Sequence, residues 1–206
     1  MQIKKQNTNH HRGFTLIEMV VSLSIFAFMT AFLLAKYGTF NQGILLTDLA
    51  YDTAITIRNA QASALNVQGV ASSTYVGKLI FSNAYGVHFG GSTPVNQFIY
   101  YVNTGVAGLP SRTFAGGSQI ITTYTMKTGD VISEICIQPE SPCLSTDSVT
   151  SLDIAFQRPN PDALMTAYSA SVGTTSPSFA QVTIVANDGS TRYVAVRSTG
   201  EISVSN

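Results

Sequence analysis

The sequence predicts an α+β protein. A long N-terminal helix, transmembrane in its first half and amphipathic in its second, is expected to pack on an antiparallel β-sheet head. Three observations predict it. An apolar run covers Phe14–Ala35, and no proline interrupts the chain from Phe14 to Leu65, which favours one continuous helix. After Gly69, β-branched and aromatic runs alternate with turn residues. Strands that follow one long helix are typical of an α+β fold.

Glu18 is the only charged residue in the 22-residue run Phe14–Ala35. A helix rises about 1.5 Å per residue, so the run is long enough to cross a bilayer. A carboxylate at the bilayer centre costs roughly 2.5–3.5 kcal/mol, whereas the twelve Leu, Ile, Val and Phe residues of the run together contribute roughly −5 kcal/mol. The segment is therefore expected to insert, and an ionisable group inside it points to a function.

The residues before the apolar run are basic: Lys4, Lys5 and Arg12. By the positive-inside rule, the N-terminus stays in the cytoplasm and the chain after Ala35 lies outside. A cleavable secretory signal would need a shorter apolar core and a small-residue cleavage site, which Leu34–Gly38 matches poorly. We therefore expect a single membrane span over residues 14–36.

The second part of the helix, residues 37–68, is expected to be amphipathic and to continue into the head. Five residues share one face at 3.6-residue spacing and are expected to pack on the head: Ile44, Tyr51, Ile55, Ala62 and Leu65. Gly38 and Gly43 each cost about 1 kcal/mol relative to alanine in a helix. They either bend the helix or mark its exit from the membrane.

The head, residues 69–206, is expected to be a β-rich globular domain outside the cytoplasm, and its last three strands are expected to form an antiparallel meander. Strand patterns cover residues 85–89, 97–103, 119–126, 131–137, 152–157, 179–186, 191–197 and 201–205. Asn187–Ser190 is expected to join two of these strands as a hairpin turn. Arg158–Pro161 is expected to form a turn or loop.

The stretch Gly13-Phe14-Thr15-Leu16-Ile17-Glu18, after a short basic leader, resembles the N-terminus of type IV prepilins and type II secretion pseudopilins. The resemblance implies that residues 1–13 are a leader, which a prepilin peptidase removes by cleaving between Gly13 and Phe14. It also implies N-methylation of Phe14 and pairing of Glu18 with the N-terminal amine of a neighbouring subunit. Opposite charges attract far more strongly in a low dielectric than in water, which agrees with this role.

The same resemblance implies the pilin fold and a structural subunit of a type IV pilus or a type II secretion-like filament. The implied partners are the prepilin peptidase, an inner-membrane assembly platform and other pilins or pseudopilins. The protein would first lie in the cytoplasmic membrane as a single-pass protein and then move into the pilus or pseudopilus. The alternative from another class is a bitopic cell-surface binding protein that never polymerises.

Two further stretches resemble the GspH/FimT class of minor pseudopilins. Residues 57–64 look like the Arg-x-Ala-Gln-x-x-Ala helix stretch of that class, and residues 189–204 look like its closing hairpin. In that class the head is a helix packed on β-sheets, and the protein sits at the tip of a short pilus-like filament or primes it. Because Glu18 is present, we expect this chain not to be the outermost subunit.

Cys136 and Cys143 are the only cysteines, and they enclose six residues that include two prolines. Outside the cytoplasm an oxidising compartment permits a disulfide, which we expect here. Free thiols and a zinc site are the alternatives. A zinc site fits poorly because it needs about four ligands, and His88 is the only histidine outside the leader.

Neither an enzyme, a cofactor nor a bound metal is expected, because no set of catalytic groups converges in the sequence. His88 alternates with Val87 and Phe89 in a strand pattern, which indicates a histidine on a sheet face. The carboxylates considered for calcium form no recognisable cage: Asp147, Asp153 and Asp188.

A DNA-binding minor pilin is a further alternative, because some FimT-like pilins take up DNA through basic residues near the C-terminus. Arg192 and Arg197 are an odd number of residues apart on one predicted strand, so their side chains would point to opposite faces. Removal of the leader leaves eight basic and eleven acidic side chains, a net charge of −3. Both observations speak against a nucleic-acid partner.

Overall fold

The structure is a computed structural model. It describes residues 13–66, 69–71, 77, 79–81, 83–91, 93, 95–103, 112–114, 118–126, 129–139, 148–170 and 173–206. The chain divides into two compact units, Met1–Asn41 and Gln42–Asn206. In its described part, the first unit contains the beginning of helix α1 (Leu16–Leu65), and the second unit contains the rest of α1 and the strands.

The long helix predicted from the sequence is confirmed as α1. By length and composition alone, its segment Leu16–Ala35 could cross a membrane, and none of that segment is buried within the protein. The hydroxyls of Ser22, Ser24 and Thr30 donate to the carbonyls four residues earlier, at 2.8, 2.6 and 2.9 Å. The hydroxyl groups of this segment are therefore satisfied by the helix itself, as a lipid environment requires.

The strands follow α1 in the chain. They are β1 (Val70–Ala71), β2 (Leu79–Ile80), β3 (Ala84–Gly90), β4 (Gln97–Asn103), β5 (Ser118–Thr125), β6 (Val131–Cys136), β7 (Ser151–Phe156), β8 (Ala163–Ser169), β9 (Gly173–Thr175), β10 (Phe179–Val185), β11 (Thr191–Arg197) and β12 (Ile202–Ser205). The eight predicted strands all appear, and β1, β2, β8 and β9 are additional.

The strands form three antiparallel sheets. The largest has the order β5-β4-β3-β7-β8-β9, the second has the order β12-β11-β10-β6, and β1 pairs with β2. One hydrophobic core contains side chains from α1 and from both larger sheets. In β3, Tyr85, Val87 and Phe89 belong to this core. The alternate residue His88 therefore lies on the opposite, outer face of the six-stranded sheet.

The predicted hairpin joins β10 to β11 at Asn187–Ser190, with Val185 opposite Thr191. The Asp188 carboxylate accepts hydrogen bonds from the Ser190 N–H at 2.9 Å and from its hydroxyl at 2.6 Å. These bonds lower the pKa of Asp188. Gly189 has φ +82°, a conformation that other residues adopt only at a cost. The hairpin prediction is confirmed, and its turn chemistry explains it.

The face of α1 that packs on the head differs from the prediction. Ile44, Tyr51 and Ile55 are 47, 54 and 53% exposed. The buried face is instead built mostly from small side chains: Leu46, Ala50, Ala54, Ile57, Ala60 and Ala64. Four of these six residues are alanines, so the buried face carries less hydrophobic surface than the face that the spacing of large apolar residues predicted. The prediction of which residues face the head was wrong, while the helix itself was correctly predicted.

Candidate functional site

The beginning of α1 carries the residues that the sequence singled out. Gly13, Phe14 and Thr15 precede the helix. The Thr15 hydroxyl accepts a hydrogen bond from the Glu18 N–H at 3.3 Å, which makes Thr15 the N-cap and Glu18 the third helical residue. Sequence reasoning missed this role of Thr15, although Thr-x-x-Glu is the capping-box pattern.

Gly13, Phe14 and Glu18 are all exposed, and Phe14 keeps 79% of its surface accessible. A methyl group added at Gly13 would meet nothing within 4 Å. Within the described residues, Gly13 and Phe14 are therefore open to contact with another protein. The Glu18 carboxylate lies near the positive end of the helix dipole, where negative charge is favourable. Within the described residues, no cation pairs with it.

Cys136 ends β6 and is buried. It pairs with Gln181 of β10 and forms a bridge-type backbone pair with Ser148. No cysteine in the described part of the chain is a free thiol. The predicted partner, Cys143, lies outside the described residues, so the pairing of the two stays a prediction.

We expect the intact chain to weigh two hydrogen atoms less before reduction than after it. Cys136→Ser is expected to lower the midpoint of thermal unfolding, because a bridge over so short a loop restricts the unfolded chain by about 2–3 kcal/mol. Intact-mass spectrometry and thermal denaturation check the two statements. Cys143→Ser and the double variant serve as controls, since each variant loses the same bridge and the two single losses are therefore not expected to add. Alkylation of both thiols in the unreduced native protein would contradict the bridge.

A buried hydrogen-bond cluster lies on the outer face of the six-stranded sheet. The β3–β7 register places His88 directly opposite Asp153. His88 Nδ1 lies 2.9 Å from Asp153 Oδ1, and Nε2 lies 3.1 Å from the carbonyl oxygen of Gly90. Both neighbouring atoms are acceptors, so only a ring protonated on both nitrogens donates to both. The prediction of a sheet-face histidine agrees with this position, but the pairing with Asp153 was missed.

The segment Arg112–Phe114, here called the outer strap, packs on this cluster. The Tyr101 hydroxyl and the Asn103 amide donate to the carbonyls of its first two residues, at 3.2 and 2.7 Å. The N–H of its last residue donates to Asp153 Oδ1 at 3.1 Å, and its phenyl ring lies 4.8 Å from the His88 ring. The outer strap is thus fixed to the sheet by three side chains.

Burial, together with the nearby Asp153 carboxylate, raises the pKa of Tyr101 well above its usual range. The Tyr101 hydroxyl therefore stays neutral at physiological pH and keeps its proton for the outer strap. Among the described residues of the cluster, the polar atoms bond one another or the backbone. The arrangement holds the outer strap on the sheet.

The two described carboxylates that were considered for calcium have different partners. Asp153 bonds His88 and the outer strap, and Asp188 bonds Ser190 in the β10–β11 turn. Asp147 lies outside the described residues. The described part of the chain contains no group of three or more His, Cys, Asp or Glu side chains that could hold a metal ion.

The two C-terminal arginines of β11 are separated, as the sequence predicted. Arg192 points to α1, where its Nε donates to the Thr47 hydroxyl at 3.2 Å. Arg197 lies over the Phe179 ring at 5.5 Å and pairs with Glu201 at 3.4 Å. These two guanidinium groups therefore do not form one basic patch of the kind that would follow a phosphate backbone.

Residues 8–34 match the family described as the prokaryotic N-terminal methylation motif. The match contains Gly13, Phe14, Glu18 and most of the segment Leu16–Ala35. No curated protein and no solved structure matches the chain. The motif stands at the beginning of an apolar helix whose later part packs on antiparallel sheets. The chain thus carries the N-terminal methylation motif that is typical of prepilin-like proteins, and its long helix followed by antiparallel sheets is a pilin-like α+β fold.

Proposed function

We propose that the chain is a structural subunit of a type IV pilus or a type II secretion-like filament. A prepilin peptidase cleaves it after Gly13, Phe14 is N-methylated, and the subunit assembles through its N-terminal helix. The observation that carries the proposal is the methylation motif over residues 8–34, placed at the exposed beginning of a helix that could cross a membrane.

In this proposal the Glu18 carboxylate meets the Phe14 amine of a neighbouring subunit. Cleavage creates that amine, so the positive charge arises only after processing. The support is electrostatic: an unpaired carboxylate inside an apolar segment is costly, and an opposite charge in a low dielectric offsets that cost. Within the described residues, Glu18 has no cationic partner of its own, which agrees with a partner in another subunit.

A minor subunit of the GspH/FimT kind is the finer form of the proposal. The two stretches that resemble this class touch each other through Gln61. Its side-chain amide donates to the Gly200 carbonyl at 3.4 Å and to the Pro161 carbonyl at 2.8 Å. Gln61 therefore connects residues 57–64 to residues 189–204 by a hydrogen bond, here called the Gln61 joint. This contact supports the interpretation that the two stretches together mark one class of protein.

The proposal also includes a topology. The basic residues of the leader keep the N-terminus in the cytoplasm, the segment Leu16–Ala35 spans the cytoplasmic membrane, and the head lies outside. The prepilin peptidase and an inner-membrane assembly platform are the partners that this topology requires. The head then leaves the membrane as part of the filament.

The test is the mass of the chain isolated from cells that contain a prepilin peptidase. We expect the mature protein to begin at Phe14, to carry one added methyl group and to lack residues 1–13. N-terminal sequencing and intact-mass spectrometry measure this directly. Gly13→Leu is the control. A large side chain next to the cleaved bond is expected to obstruct the peptidase, so the leader should stay attached.

A chain that keeps Met1 in the presence of the peptidase would contradict the proposal and would favour a bitopic surface protein that does not polymerise. A chain that is cleaved but absent from sheared filaments would contradict the assembly step alone. The two failures are therefore distinguishable by comparing the mass of the membrane form with the content of the filament fraction.

A further inference from the structure

A small pocket lies beside the outer strap, where the loop between β7 and β8 meets it. Its volume is about 190 Å³. The residues that line it are Arg112, Gln157, Arg158, Pro159, Asn160, Asp162 and Leu164. Two arginines therefore line one cavity, together with the apolar residues Pro159 and Leu164.

Both walls of the pocket are anchored. Arg112 belongs to the outer strap, whose backbone is held by Tyr101 and Asn103. On the other wall, the Arg158 guanidinium donates to the carbonyl of Phe81, and Gln61 of α1 holds the carbonyl of Pro161. The two positive groups thus start from fixed backbone positions, which lowers the entropy lost when they bind a ligand.

The positive charges of Arg112 and Arg158 are not neutralised by a described carboxylate of the protein. Among the described residues, no carboxylate lies within salt-bridge distance of Arg112 or Arg158; the ion pairs found there are His88–Asp153 and Arg197–Glu201. Asp162 also lines the pocket, so its lining carries two positive charges and one negative charge. A ligand with a single negative charge balances this set, whereas a dianion would exceed it.

We propose that this pocket binds a monocarboxylate attached to a small apolar body, such as the C-terminal residue of a partner peptide. Planar guanidinium groups match the two oxygens of a carboxylate. Pro159 and Leu164 supply an apolar wall for the body of the ligand. Capture of a C-terminal carboxylate is a recognised mode of peptide binding.

The test uses N-acetyl-leucine as the probe and the detergent-solubilised full chain, followed by ligand-observed saturation-transfer NMR. We expect saturable binding of N-acetyl-leucine and none of its uncharged amide. Arg112→Gln is expected to weaken binding by roughly tenfold, because it removes one charged hydrogen-bonding partner. Asp162→Asn is expected to strengthen binding, because it removes the one negative charge that repels the ligand.

Arg58→Gln is the matched control, because Arg58 is an exposed arginine of α1 that does not line the pocket. Its binding is expected to equal that of the unchanged protein. Equal loss in Arg58→Gln and Arg112→Gln would show general charge attraction and overturn the pocket. No saturable binding to the unchanged protein, or binding of inorganic phosphate that is tighter than that of N-acetyl-leucine, would overturn the carboxylate assignment. Arg112 makes no described side-chain contact, so its replacement is not expected to disturb folding.

Discussion

Glu18→Val is expected to lower incorporation of the chain into filaments by at least about a hundredfold. In the proposed filament, each Glu18→Val subunit leaves a neighbour's N-terminal amine unpaired in an apolar environment. Removing one partner of a buried ion pair costs about 3–5 kcal/mol, and each 1.4 kcal/mol is about a factor of ten. Membrane insertion is expected to stay intact or to improve, because the variant removes a costly charge from the span.

The loss of assembly in Glu18→Val is not expected to result from a destabilised α1. Thr15 caps α1 through the backbone N–H of residue 18, which valine retains. Ser24→Val is the matched control, because it removes a polar side chain that bonds only its own helix. Thr15→Ala is the second control, because it weakens the cap by about 1 kcal/mol and keeps the carboxylate.

The measurement is co-expression of the unchanged and variant chains, followed by quantification of each in membranes and in sheared filaments. Equal amounts of both chains in the filament fraction would show that Glu18 is not an assembly residue. Loss of the variant from the membrane fraction would contradict the proposed span instead. Both controls are expected to enter filaments far better than Glu18→Val.

Asp153→Ala is expected to destabilise the head by about 3 kcal/mol. The change leaves His88 Nδ1 and the N–H of Phe114 without their shared acceptor in a buried site. Buried donors that lose their partner carry the full desolvation penalty. For a domain of this size, the loss corresponds to a fall of roughly 6–12 °C in the midpoint of thermal unfolding.

Circular dichroism of the detergent-solubilised chain during heating measures this effect. Glu201→Ala is the control, because Glu201 pairs with Arg197 at the exposed surface, where an ion pair contributes about 0–1 kcal/mol. His88→Leu and the double variant complete a cycle. We expect the double variant to be more stable than the sum of the two single losses predicts, because both changes break one contact. Simple additivity would contradict a shared cluster.

Local features of the chain were predictable from sequence. The long helix follows from an apolar, proline-free run, and the β10–β11 hairpin follows from Asn187–Ser190. The packing face of α1 was not predictable by hydrophobicity, because the structure buries Ala50, Ala60 and Ala64 and leaves Tyr51 exposed. β8 was missed because Ala163–Ser169 is rich in helix-forming residues, and pairing with β7 overrides that preference.

The candidate sites also differ in how far the sequence predicts them. Gly13, Phe14 and Glu18 lie within six residues of one another, so their pattern is visible in the sequence. His88 and Asp153 are 65 residues apart, and they meet only because of the β3–β7 register. The pocket residues Arg112 and Arg158 come together through the outer strap, which no periodic pattern predicts. Sites whose residues are distant in the chain can therefore be recognised only once the structure is known.

The Gln61 joint has a consequence for biosynthesis. Gln61 of α1 bonds the Gly200 carbonyl, 139 residues later in the chain. Ribosomes add about 5–20 residues per second, so the partner of Gln61 is synthesised roughly 7–28 s after it. During that interval the alanine-rich side of α1 lacks β10–β12, which supply part of its final cover. Long-range closure of this kind is slow, and a subunit that met a growing filament before its last two strands emerged would present an incomplete head.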